Sequence, residues 1–392
     1  MKRINAVLII ILLVVMAGCG KKQSTDDLII VDVTKSYPKK ELILQDFLDV
    51  EYILLDDTND EFVTNGLITH IGKEIILARN MGTTGDILVF DRYGKGLRVI
   101  NRKGQGGEEY PSFGRANLDE DNSELFVYGS RGNIMVYDMF GKFKRSLPYK
   151  EIASITLVGI LDKDYLIINT DISNYETKNS SSVISKQDGS VVKEIQIPYN
   201  EKKTRVIYEG TTQVADGPRN QELIPNRDSW IVMEVSSDTI YQLFPDYRMI
   251  PFMVRTPSVQ SMEPEIFLYP SVLTHRYYFM QAAEKTATRT ESGTTYPRRD
   301  LVYDRHDRSL FEYVVYNDDY STKRSISLAF ESINQSGMPF LNNEIAFYRK
   351  IESYELVEAY EKGELKDGKL KEIAAQLNPE SNPVIMIAKH KK

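Results

Sequence analysis

The feature that most constrains this chain is a repeat. Residues 86–100, DILVFDRYGKGLRVI, superimpose on residues 132–147, GNIMVYDMFGKFKRSL, when Asp91 is laid on Asp138. Each is an apolar strand ending in Phe or Tyr, then Asp-x-x-Gly, then a second strand. Such a spacing is a hairpin, with glycine taking the positive φ of the turn. A third copy is SSVISKQDGSVVKEIQI (181–197), a fourth DTIYQLFPDYRMIPFMV (238–254) and a fifth LVYDRHDRSLFEYVVY (301–316). The turn glycines fall at 94, 141 and 189, a period of 47 to 48.

Every early hairpin follows another strand pair: ITHIGKEIILARN, ANLDEDNSELFVYGS and ITLVGILDKDYLIINTD. A four-stranded unit of about 45 residues, repeated around an axis, is a β-propeller blade. A β-sandwich or two unrelated β domains are the alternatives. Five hairpins occupy residues 62 to about 320, and the remainder supplies a sixth blade. In it, AFYRKI is followed by helix formers from Ser353 to Leu377 and a last strand from Pro383 to Lys389. The missing outer strand is assigned to VEYILLD (50–56), so the two chain ends close the ring and no sheet edge is left open. The expectation is an all-β, six-bladed β-propeller with a short helical insertion in the last blade, closed by an N-terminal strand.

The first residues carry an address. Lys2 and Arg3 precede an apolar run from Ala6 to Met16, too short to span a bilayer, and Met16-Ala17-Gly18-Cys19 ends it. Cys19 is the single cysteine in 392 residues. The reading is residues 1–18 as a lipoprotein signal peptide, 19–40 as a tether and N-terminal extension, and 41–392 as the propeller. Cys19 is the lipid attachment point and the membrane contact, most simply in the outer membrane of a cell envelope, since Gly20 and not Asp follows it. With that thiol acylated, disulfides and thiol-based metal or redox sites are excluded. Without Lys2 and Arg3 the chain has 47 basic and 56 acidic residues, so it lacks the basic footprint of a nucleic-acid binder. Oligomeric state is not legible.

In these residues the chain resembles the six-bladed propeller lipoproteins of gut-dwelling Gram-negative bacteria, whose architecture is related to NHL- and TolB-like propellers. The likeness is carried by the lipobox at Cys19, VEYILLDD, ILVFDRYGKGLRVINRKGQGGEEY and LKEIAAQLNPESNPVIMIAK. That group usually ends its first blade in Gly-x-Gly-Pro-Gly-Glu-Tyr. Residues 104–110 here are GQGGEEY, so Gly107 replaces Pro and Glu108 replaces Gly. The resemblance implies a fold over the whole mature chain and no settled activity.

Catalytic signals are sparse. His70, His275, His306 and His390 share no metal-ligand spacing, and no GxSxG elbow occurs. His306, between Asp304 and Asp307, reads as a hairpin tip. LDEDNSE (118–124) is dense in carboxylates but lacks an EF-hand pattern, so it reads as an Asx-rich turn. NDDYSTKR (317–324) reads as a solvated loop. The glycines of VINRKGQGGEEYPSFG (99–114) follow a strand and no helix comes after them, which removes a P-loop and leaves a blade-to-blade corner. If that corner ends near the axis, Glu109 and Tyr110 become the ligand-binding candidates. Tyr- and Arg-rich segments at 269–272, 274–280 and 294–299 suit sugars or peptides, though packing within blades is their ordinary role. No cofactor, metal or catalytic residue is assigned. The expected role is a binding module for an envelope protein, peptide or glycan at one face. The alternatives are an envelope hydrolase or lyase at the channel mouth, or a structural subunit of an outer-membrane complex.

Overall fold

A computed structural model gives the fold. It describes residues 28–391 apart from 81, 83, 112, 130–132, 149–153, 172–180, 210–211, 216–221, 291–292 and 330–339. Cys19 and the rest of the leader therefore lie outside the described residues.

The protein is a six-bladed β-propeller. Blade 1 is an antiparallel sheet of Leu67–Ile71, Ile75–Arg79, Ile87–Asp91 and Gly96–Ile100. Blade 2 spans Arg115 to Pro148 and blade 3 Ser154 to Ile195, each with four strands. Blades 4 (Leu223 to Thr256) and 5 (Ile266 to Tyr316) also carry four strands of their own. The sequence hairpins are strands three and four of blades 1 to 5. Strand direction alternates, so each blade's first and third turns share one face of the ring. We call it the hairpin face, and the opposite one, holding the blade-to-blade connections, the crossover face.

The N-terminal segment is a belt across three blades. Strand β1 (Ile29–Asp32) pairs in parallel with Met253–Thr256 on the outside of blade 4. Strand β2 (Lys39–Ile43) does the same on blade 5, against Glu312–Tyr316. One helical turn, α1 (Leu44–Phe47), leads into β3 (Leu48–Leu54), which runs antiparallel to Val384–His390 along its whole length. The assigned closing strand is therefore the outermost strand of blade 6. Phe340–Leu341, just before the innermost blade 6 strand Ile345–Ile351, bonds in parallel to His70 and Ile71 on the inner edge of the blade 1 sheet, so backbone hydrogen bonds cross the seam where the ring closes. The expected helical insertion is α2 (Ser353–Glu361) and α3 (Lys369–Ala374), set between the blade 6 strands Ile345–Ile351 and Val384–His390.

Each blade is covered on both faces, so apolar residues alternate between two cores and not between core and water. In Ile75–Arg79, Ile76 and Ala78 pack against blade 6, whereas Ile75 and Leu77 pack against blade 2. Six such clusters form, one per blade boundary; that between blades 5 and 6 includes α1 and the apolar sides of α2 and α3. Polar contacts repeat with the blades. Arg98 donates to Met139 O at 3.0 Å, and Arg145, its equivalent one repeat later, donates to Lys186 O at 2.7 Å. The loop 317–324 differs from expectation. Asn317 is buried and donates to the Tyr52 hydroxyl at 2.8 Å, and Asp319 accepts from that hydroxyl at 2.6 Å. Half of the loop is a polar clamp on β3, because a belt strand with a buried tyrosine needs partners for its hydroxyl.

Candidate functional site

The glycine corner at 104–110 closes on itself. Gly104 N–H donates to Tyr110 O (3.2 Å), Tyr110 N–H to Arg102 O (3.1 Å) and Glu109 N–H to Gly106 O (3.1 Å). Glu109 Oε2 accepts from Gly106 N–H at 2.8 Å. A Cβ on Gly104 would overlap that carboxylate, so glycine is required there for space. Tyr110 is buried between blades 1 and 2, edge-on to Tyr137 at 6.0 Å. Its hydroxyl donates to Gly85 O (2.7 Å) and accepts from Arg102 N–H (2.8 Å). Burial pushes its phenol above the ordinary range. The corner borders a cavity of about 370 Å³ over blade 2, lined by Gly106, Gly107, Glu109, Tyr128 and Asn133. Glu109 and Tyr110 both line that cavity, Tyr110 from a buried position. The position is on the crossover face and off the axis.

A larger funnel, about 480 Å³, opens at the axis on the hairpin face. It is lined by the first turn of several blades: Gly72 and Lys73, Asp119 to Asp121, Leu161, Arg227 and Asp228, and Asn342 to Glu344. Trp230, Ile160 and Pro225 give it an apolar floor. A smaller cleft continues from it past Arg227 and Asn342 to Ser271 and His390.

One wall of the funnel is built and internally neutralised. Glu120, from blade 2, accepts the N–H groups of Lys73, Glu74 and Ile75 at 2.7, 3.0 and 2.8 Å, capping the first turn of blade 1. Asp119 is buried and pairs with Lys186 of blade 3 at 2.6 Å, and Lys186 also donates to Asp162 O. His70 Nδ1 accepts from Leu118 N–H at 3.3 Å, and burial holds this imidazole at a pKa of about 3, so it is neutral with its proton on Nε2. Any Cβ on Gly72 would meet His70 Nε2 at 2.7 Å and overlap Glu120, so glycine there makes room for both side chains. Asn342 Nδ2 donates to Gly72 O at 2.7 Å and fixes the blade 6 turn to that of blade 1.

The opposite side carries Arg227 beside Asp228. Arg227 is exposed, sits at φ +53° and has no ion pair among the described residues. Burial first, then the Arg227 charge, lowers both His275 and His390, the latter to about 4. Arg305 donates to His275 O at 2.6 Å, and the two imidazoles stand edge-on at 6.1 Å. The funnel therefore offers one free guanidinium, neutral imidazoles and a carboxylate-bearing rim over an apolar floor. That suits a polar ligand bearing an acidic group, held by hydrogen bonds. Among the described residues no group of three His, Cys, Asp or Glu side chains could hold a metal ion.

The other sequence candidates separate. His306 is an exposed hairpin tip bonded to Asp307 at 2.9 Å, and within 118–124 residues 120–123 form the turn between two blade 2 strands. Tyr269, Tyr277 and Tyr296 are buried within blades. Sequence reading missed His70, Glu120, Arg227 and Asn342. The signal available was the first turn of each repeat, GKE, EDN, NRD and NNE, and not the more regular second turn.

A family model described as a domain of unknown function (DUF4934) matches residues 28–389. No curated protein matches the sequence. Among solved structures, the chain is similar to a candidate exported protein of Bacteroides fragilis, with 14% identity over 93% of this chain and 100% of that one, at a TM-score of 0.57. It is also similar to a DUF4221-family member from Bacteroides vulgatus, with 12% identity over 88% and 98% of the two chains, at 0.50. These likenesses concern the fold.

Proposed function

The chain belongs to the DUF4934 family, and from that premise we propose that it is an exported, lipid-anchored propeller that binds a peptide or glycan in the axial funnel of its hairpin face. The observation that carries this reading is Arg227, a guanidinium without a carboxylate partner at the rim of a cavity of about 480 Å³. The similarity to a candidate exported protein supports a destination outside the cytoplasm. No helix among the described residues is long and apolar enough to cross a membrane, which fits attachment through lipid on Cys19.

The test uses residues 20–392, without acylation, on peptide and glycan arrays. Ligands that bind should carry a carboxylate or other acidic group. Arg227→Ala should lose them, while Glu109→Ala on the other face should keep them. Loss with Glu109→Ala alone would move the site to the crossover face. An empty array together with a stably co-purifying protein would replace the soluble ligand by a protein partner. Cys19→Ser should release the full chain from membranes.

A further inference from the structure

We propose that the crossover-face end of the central channel holds a small anion hydrogen-bonded by Arg115. This site is separate from the funnel, at the opposite end of the axis.

Arg115 opens the innermost strand of blade 2, Arg115–Asp119, and is only 9% exposed. Blade-facing neighbours explain the other side chains of that strand. Ala116 and Leu118 fill the core with blade 1, Asn117 donates to Val158 O, and Asp119 pairs with Lys186. Arg115 hydrogen-bonds the Tyr128 hydroxyl, but its Nη1 is buried with no partner, and no carboxylate among the described residues pairs with it. Arg79, ending the second strand of blade 1, lies close enough for the two positive charges to repel. Tyr348 of blade 6, itself buried, is the remaining group that feels the Arg115 charge.

A buried guanidinium is ordinarily matched by a carboxylate, since an isolated charge is strongly disfavoured in a low-dielectric interior. Here two adjacent blades bring two guanidiniums together, and among the described residues the charge of Arg115 is answered by neutral phenols alone. An anion on Nη1 supplies the missing counter-charge. Nη1 is buried, so the anions to test are small ones, a halide or a single carboxylate.

The experiment follows thermal unfolding of the wild type and Arg115→Met in sodium chloride, bromide, acetate and gluconate at one ionic strength. Ligand binding to the folded state alone raises Tm with the logarithm of ligand concentration. The wild type should show that rise in chloride and bromide relative to gluconate, and Arg115→Met should lose it. In gluconate the variant should equal or exceed the wild type, because an uncompensated charge is gone. Acetate matching the halides would support the site and identify a carboxylate as its occupant. Identical responses of both proteins to all four salts would overturn the proposal. Should Arg115→Met fail to fold, wild-type crystals soaked in bromide decide. An anomalous peak at Nη1 supports the site and its absence overturns it.

Discussion

Gly94→Ala is the sharpest test of how this ring is closed. Gly94 ends the Asp-x-x-Gly turn of blade 1 at φ +90°, and its carbonyl accepts Asp56 N–H at 2.8 Å. An added Cβ would overlap the backbone oxygen of Leu54, at the end of β3. Two costs therefore add. An alanine at positive φ costs about 1–2 kcal/mol. Displacing a backbone carbonyl in packed surroundings costs about 1–3 kcal/mol more. The sum, about 2–5 kcal/mol, corresponds to a Tm loss of about 3–7 °C for an unfolding entropy of ~2.1 cal/mol/K per residue over about 360 residues. Gly363→Ala isolates the first cost, because Gly363 has φ +69° with open space at its Cβ position. Gly141→Ala should fall between them, meeting the Ile100 methyl at 2.7 Å, which a side chain can relieve by moving. Urea unfolding of the three variants gives the ranking. If Gly94→Ala costs no more than Gly363→Ala, the turn does not press on the closing strand and the reasoning fails.

Other outcomes follow from the same geometry. Tyr52→Phe removes a hydroxyl bonded to Asp319 and Asn317, and should cost about 2 kcal/mol in urea unfolding. Deleting residues 48–58 removes the outermost strand of blade 6 and should abolish the cooperative thermal transition. Stability should fall in two stages on acidification. His70 and His390 are held by burial at about 3 and 4 against an ordinary 6.5, so the unfolded chain binds more protons below 6.5 and stability declines from there. Burial alone would raise Glu124 and Asp304, but Arg145 and Lys144, and Lys40 and Arg276, bring each to about 2. Their stabilisation is full above the ordinary 4.5 and 3.8 and is lost as pH falls toward 2. His70→Gln should flatten the upper stage and Glu124→Gln the lower, read by equilibrium unfolding across pH.

The hairpin repeat and the closing strand were legible because each is a local pattern, a strand pair around a turn or an unbroken run such as VEYILLD. The fourth and fifth repeats were fainter for a physical reason: Tyr247 (φ +63°) and Arg308 (φ +50°) occupy the left-handed position that glycine fills in the first three. Strands β1 and β2 carry no comparable mark. They are four and five residues long, pair in parallel, and meet partners more than 200 residues away. The funnel was hidden because it takes one or two residues from each of several turns about a blade apart, and no local motif records that convergence. Glu109 was readable as a polar corner residue, but its distance from the axis depends on blade geometry alone.

The belt also sets a timetable. β1, β2 and β3 are synthesised first, yet their partners at 253–256, 312–316 and 384–390 come late, the last of them at the far end of the chain. Asp49 waits for Lys389. A ribosome or a translocation pore that delivers this chain from its N-terminus delivers three orphan strands ahead of everything they need. Blades 2 and 3 are complete from their own residues and can assemble in order, whereas blade 6 exists only when the final strand arrives. The ring thus locks in a single late step, and a chain stalled before its last ten residues has no finished state to fall into.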